Sequence, residues 1–328
     1  MVGITVPRRG QEPRPSPRSY EMTFGDIDAL IDKVLAWAES HEFLGDAVPF
    51  YRVSFAADHF SALLGARVKH HPSSPDTMWV EPFVEDWDDA ELKPRTDGHW
   101  WQRTLEAIAR FRERCDGRLI TSACHLQGNL DCLSAIRGPQ NLLWDLVTCP
   151  EKVHGALRRV DVALAQTRTA LNEAFGAERF GSMDRHGTYC RGAIDVPQCD
   201  FSAMIGPEMF DEFALPSIRH ECAVVDAAIY HLDGPDAIRH LESLCSIPDL
   251  HMIQWVAGSG EASRQDWDWL YRRIDELGKG LVIRPSQDEL RKRWRESTSP
   301  YIFAGMSFDD RDEALRFFDE IHTLKRTS

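Results

Sequence analysis

The chain has 328 residues, 43% of them hydrophobic and 27% charged, a globular composition that excludes a disordered, collagenous or fibrous protein. It carries 38 Lys and Arg against 52 Asp and Glu, a formal charge of −14. That field repels phosphate backbones and anionic lipid, so neither nucleic acid nor a membrane surface is an expected partner.

No apolar run reaches the ~20 residues of a spanning helix, and the basic residues near the start are followed by polar, proline-rich sequence, so a cytoplasmic protein is expected. Eight cysteines, at 115, 124, 132, 149, 190, 199, 222 and 245, form no Cys-x-x-Cys and no compact framework, the pattern of reduced thiols. Residues 1–20 read as a disordered tail by composition, and residues 21–328 as a single domain.

Thr23 and Asp26 form a capping pair before the stripe Ile27, Leu30, Ile31, Val34 and Leu35, which predicts an amphipathic helix. A Pro-, Asp- and Trp-rich insertion follows near residues 66–98, with His70 and His71 read as surface and a rim hairpin expected over 77–84. One-sided helical stripes recur at Trp101, Leu105, Ile108 and Phe111, then at Val153, Leu157, Val160, Leu164, Leu171 and Phe175, and again at Trp267, Leu270, Ile274 and Leu277.

Between the helices, short apolar runs at 118–123, 180–183, 227–232, 250–255, 280–283 and 301–304 read as buried strands. Helix-start signals follow several of them: Pro235-Asp236, Ser263 with Asp266, Ser286 with Glu289, and Asp309 with Asp312. Strand and helix in alternation predict an α/β fold with a parallel sheet. Neither Gly-x-Gly-x-x-Gly nor Gly-x-x-x-x-Gly-Lys occurs, which favours a single closed TIM-type barrel over a doubly wound nucleotide-binding sheet.

In such a barrel the working side chains follow the apolar runs. Here these are Cys124, His125 and Gln127; Asp184, Arg185 and His186; Cys199 and Asp200; His231 and Asp233; and Trp255. Within Tyr230-His231-Leu232-Asp233-Gly234, strand alternation aims His231 and Asp233 at one side, a pair suited to metal ligation or proton transfer. A structural His–Asp pair is the competing reading. His125 stands near Asn129 and Asp131, either of which could instead cap the following helix. Cys199 reads as a buried core thiol beside Asp200. Glu81 lies in the expected hairpin, and reaches the site only if that hairpin folds over the mouth.

Three stretches carry a resemblance. The first runs from Gly128-Asn129-Leu130-Asp131-Cys132-Leu133 through Arg137-Gly138 to Leu146, Pro150 and Glu151-Lys152-Val153. The second is Asp200-Phe201-Ser202 with Ile205-Gly206-Pro207-Glu208-Met209-Phe210, ending at Leu215-Pro216. The third is His231-Leu232-Asp233-Gly234. Over about residues 45–325 the chain resembles the uroporphyrinogen decarboxylase superfamily, which includes cobamide-dependent methyltransferases.

The resemblance implies that family's barrel, and a methyltransferase moving a methyl group between a small molecule and a corrinoid (cobalamin) on a partner carrier protein. It also implies zinc held through His231 and the position of Asp233, where zinc-containing members have cysteine. Residues 301–308 contain no cysteine, and the decarboxylases' Arg-Gln-Ala-Gly-Arg is absent around Tyr51, Arg52, Val53 and Ser54. The expected roles are catalytic for His231, Asp233, His125 and Asp200, metal-binding for His231 and Asp233, and substrate-binding for Glu81, Asn129, Tyr230 and Trp255. A decarboxylase or other lyase on a small cyclic substrate is the alternative enzyme, and a non-catalytic binding barrel the alternative class.

Overall fold

The computed structural model describes residues 1–17, 24–69, 78–122, 124–258, 260, 262, 265–299 and 301–325. Thr23, His70, His71, Thr77 and Ser263, on which the first cap, the surface histidines, the hairpin start and one helix signal were read, lie outside them.

A mostly parallel sheet runs in the order β2 (His41–Gly45), β1 (Val2–Pro7), β13 (Ile302–Ser307), β12 (Gly280–Ile283), β11 (Met252–Val256), β10 (Ala227–Asp233) and β9 (Ile194–Asp195). Only β2 is antiparallel, lying along β1. A second parallel pair joins β3 (Phe50–Arg52) to β6 (Ile120–Ser122), and the Ser122 hydroxyl donates to the Met183 carbonyl at 2.7 Å. Among the described residues the ladder from β2 to β9 is open, and does not by itself show the closed barrel read from the sequence.

Two expectations need correction. The first residues are not a tail: Val2, Ile4 and Val6 are fully buried on one face of β1, and β1 pairs with β13. Their alternation with Gly3, Thr5 and Pro7 is a strand signal that the basic, proline-rich sequence after it obscures. Residues 180–183 are not one strand either, because the helix Ala177–Phe180 ends there and only Ser182–Met183 is extended.

Elsewhere local chemistry and structure agree. The Asp26 carboxylate accepts from the amides of Asp28 and Ala29 at the start of the helix Ile27–Glu39, and Ser286 accepts from the Glu289 amide before Gln287–Glu296. The last cap falls one residue later than read, on Asp310, which accepts from Glu313. The hairpin is antiparallel, β4 (Arg67–Lys69) with β5 (Trp79–Glu81). Arg137 ties the insertion down, donating to Asp145 at 2.7 Å and to the carbonyls of Val84 and Glu85. No helix among the described residues is long and apolar enough to cross a membrane.

The sheet's two faces differ. Alternate residues of five strands (Val2 and Ile4; Tyr230 and Leu232; Ile253 and Trp255; Leu281 and Ile283; Ile302 and Ala304) join the large core with the helices. On the opposite face Ile229, Met252, Val282 and Phe303 of β10 to β13 join Val196, just after β9, in a separate small cluster. These four strands are thus buried on both sides there, which explains why they read as continuous apolar runs.

One core residue carries a pH dependence. His59 is fully buried, stacked on Phe55 at 4.6 Å between ring centres and bonded through Nε2 to Thr104 at 2.9 Å. Burial pushes it from the usual 6.5 down to about 3. A depressed folded-state value contributes stability that is present above 6.5 and lost as pH falls towards 3. Between pH 7 and pH 5 His59 should cost about 2 kcal/mol. Urea unfolding at both pH values should show a smaller loss in His59→Phe than in the wild type, and an equal loss would remove His59 as the cause.

Candidate active site

On β10 the alternation turns Ile229, His231 and Asp233 to one side and Tyr230 and Leu232 to the helix-covered side. His231 is paired in register with Gln254 of β11 and bridged to Gln198 beyond β9. The small apolar cluster thus forms a floor, and His231, Gln254 and Gln198 stand above it as the next layer.

A cleft of about 960 Å³ opens over this layer. His125, His186, His231, Asp200, Gln198, Arg52, Arg185 and Arg284 line it, with Gly3, Thr5 and Pro7 of β1 and Gly305 and Ser307 of β13. Pro13, Ser16 and Pro17, in the segment read as tail, also edge it.

Gln198 is the hub. Its amide oxygen accepts from His125 Nε2 at 2.9 Å and from Arg185 Nη1 at 2.8 Å, and its amide nitrogen donates to Asp200 at 3.0 Å. His231 Nδ1 is hydrogen-bonded to the amide oxygen of Gln254. Because that oxygen only accepts, the proton sits on Nδ1 and leaves Nε2 as a lone-pair donor.

The histidines are held neutral. Burial, then the charge of Arg185, pushes His231 down to about 4 and His186 down to about 2. The same two causes, followed by Arg52, hold His125 well below its ordinary value. Asp200 moves the other way: desolvation of its carboxyl, then the charge of Asp233, pushes it up to about 6.

Asp200, His231 and Asp233 each offer a ligand atom, all within 4.8 Å of one another. None of the eight cysteines belongs to this group. One nitrogen and two carboxylate donors fit a divalent ion with open coordination positions, but not the thiolate-rich zinc set that the resemblance implies.

Of the expected catalytic residues, His125, His231 and Asp200 share the cleft, and Asp233 joins them at ligand distance. The expected substrate contacts fare otherwise. Glu81 does not line the cleft; in β5 it faces Arg67 at 3.7 Å and Lys69 at 3.4 Å, so the hairpin is closed by its own charges. Tyr230 is buried on the opposite face of β10, and Trp255 packs at 5.0 Å against Trp267. Asn129 is fully buried, donating to the Gln198 carbonyl at 2.9 Å and to Glu221 at 2.8 Å, so it supports the hub.

Asp131 does not cap its own helix. Its carboxylate accepts from the amides of Asp200 and Phe201 at 3.0 and 2.9 Å, and so caps the turn that carries Asp200. Cys199 is buried in the core. Arg284, Gln254 and Gln198 were not singled out from the sequence. Arg284 follows the run 280–283 directly, so the strand-end rule applied to β12 finds it.

The sequence matches no protein-family model and no curated protein. Among solved structures the chain is similar to a methyltransferase from Methanosarcina mazei, with a TM-score of 0.60 and 12% sequence identity, over 95% of this chain and 93% of that one. At this identity the likeness is one of fold.

Proposed function

We propose that the chain is a methyltransferase-type enzyme of the uroporphyrinogen decarboxylase superfamily, acting on a small molecule in this cleft and passing the methyl group to or from a corrinoid on a carrier protein. The observation that carries the reading is the convergence of neutral His125 and His231 with Asp200 and Asp233 at the strand ends of a methyltransferase-like fold. The separate apolar floor beneath them supports a closed barrel, since a layer of inward side chains fills the interior of such barrels.

Demethylating an ether or amine leaves an oxygen or nitrogen that must gain a proton or a Lewis acid. His231, neutral with Nε2 unprotonated, suits ligation or proton acceptance better than donation. Asp200, His231 and Asp233 would hold a divalent ion, which when bound would supply that Lewis acid. Gln254 fixes the imidazole's tautomer and direction, and Gln198 holds His125 and Asp200 beside it.

The test mixes the purified protein with methylcobalamin or a reduced corrinoid and candidate methyl donors and acceptors, with metal analysis of the same sample. A protein-dependent change in the corrinoid spectrum is the expected result. Carbon dioxide release from acid substrates with no such change would replace this reading by the decarboxylase.

A further inference from the structure

The chain is acidic overall, at −14, yet three guanidinium groups meet in this one cleft: Arg52 at the end of β3, Arg185 after β7 (Ser182–Met183) and Arg284 after β12. None of the three forms an ion pair among the described residues. Arg284 donates to the His186 carbonyl at 2.5 Å, and among the described residues the Arg52 guanidinium has a long contact of 3.4 Å with Ser54. Arg185 Nη1 is engaged by Gln198 and His125 and its Nε faces His186 at 3.4 Å, but its Nη2 is buried without a hydrogen-bond partner among the described residues. A buried guanidinium nitrogen left unsatisfied is costly unless a ligand completes it.

The backbone is shaped to admit one of these groups. Gly305 lies in the middle of β13, and a Cβ there would stand 1.3 Å from Arg284 Nη1. The guanidinium therefore occupies the space of a missing side chain and lies across the inner face of β13. The carboxylates that line the cleft are Asp200, beside His231 and Asp233, and Asp309, while Asp184 and Asp195 lie beside Arg52 and Arg185 in an adjoining small pocket and offset part of their charge. Arg185 is bonded to the Gln198 that also holds Asp200.

We propose that the arginine side of the cleft is a seat for an oxyanion group of the substrate, a carboxylate or a phosphate, gripped by Arg185, Arg52 and Arg284. The substrate is then a small organic acid or phosphate ester. Its anionic end is fixed by paired N–H donors, and its reacting end lies against His231. Guanidinium forks match both oxyanions in geometry. The inference rests on reading this cleft as the reaction site.

Isothermal titration of the intact protein at constant ionic strength tests it, with inorganic phosphate, succinate and the neutral succinamide as probes. Saturable binding of phosphate or succinate is expected, with none for succinamide, and the stronger of the two anions identifies the oxyanion. Arg284→Gln should weaken that binding about tenfold, the loss of one charge-assisted contact. Gly305→Ala, which changes no charge, should weaken it in the same direction by displacing the guanidinium.

Equal binding of succinamide, no saturable anion binding in the millimolar range, or wild-type affinity in either variant would overturn the seat. Anion binding without methyl transfer would sink the reaction proposed above and leave the seat standing. Methyl transfer without anion binding would do the reverse.

Discussion

In a methyl-transfer assay, His231→Ala should lose about 10²–10⁴-fold in turnover, the usual cost of removing an acid–base group, while its circular dichroism and melting stay close to wild type. His231 sits on the inner face of a strand paired on both sides, with Gln198 and Gln254 as its cross-strand neighbours. The backbone therefore fixes its direction, and truncation leaves the ladder intact. Gln254→Ala, which frees the ring but keeps it, should cost only about 10–100-fold. Wild-type turnover in His231→Ala would return the His–Asp pair to a structural role. Loss of folding in the same variant would do so equally.

The largest loss of stability is expected from Arg168→Met. Arg168 reaches from the helix Pro150–Phe175 to Asp195 of β9 and to Glu221 of the helix Leu215–Ala223, 3.0 Å away. Glu221 is buried and also accepts from Asn129. Removing the cation leaves two inward carboxylates uncompensated, which costs about 3–5 kcal/mol and should lower the thermal midpoint by about 5 °C. Glu221→Gln, which keeps an acceptor for Asn129, should lose less. A midpoint for Arg168→Met within a degree or two of wild type would show that the network does not hold these elements together. Because Asn129 also holds the Gln198 carbonyl, the same network sets the height of the hub above the cleft floor.

The strand-end rule explains which parts of this site the sequence discloses. His231 and Asp233 alternate along the end of β10, so their direction is a property of the local backbone and a periodicity of two finds them. His125 follows the run 118–123. Asp200 follows no such run and is placed by the turn that Asp131 caps. Asp131 escapes the rule because its partners, the amides of Asp200 and Phe201, lie about 70 residues further along the chain. Asn129 sits at a helix start like an ordinary cap, and only tertiary contacts with Gln198 and Glu221 reveal its other role. Glu81 fails because a hairpin with Arg67 and Lys69 on its facing strand satisfies that carboxylate locally. Arg52 and Arg284 are ordinary charged residues one at a time. Their meaning lies in convergence from β3 and β12, which no short window contains.

The pairing of β1 with β13 has a consequence for how the chain reaches this state. The backbone nitrogen of Met1 donates to the carbonyl of Ile302 across 301 residues of sequence, so β1 is completed by a strand from far along the chain. Without β13, β1 has β2 as its one sheet neighbour among the described residues. Contacts this distant in sequence delay folding, because the intervening chain must be ordered before the pairing returns any energy. Insertion of β13 between β1 and β12 closes the longest loop of the sheet, and with it come Gly305 and Ser307 of the cleft wall, so the wall depends on the most distant strand pairing of the sheet.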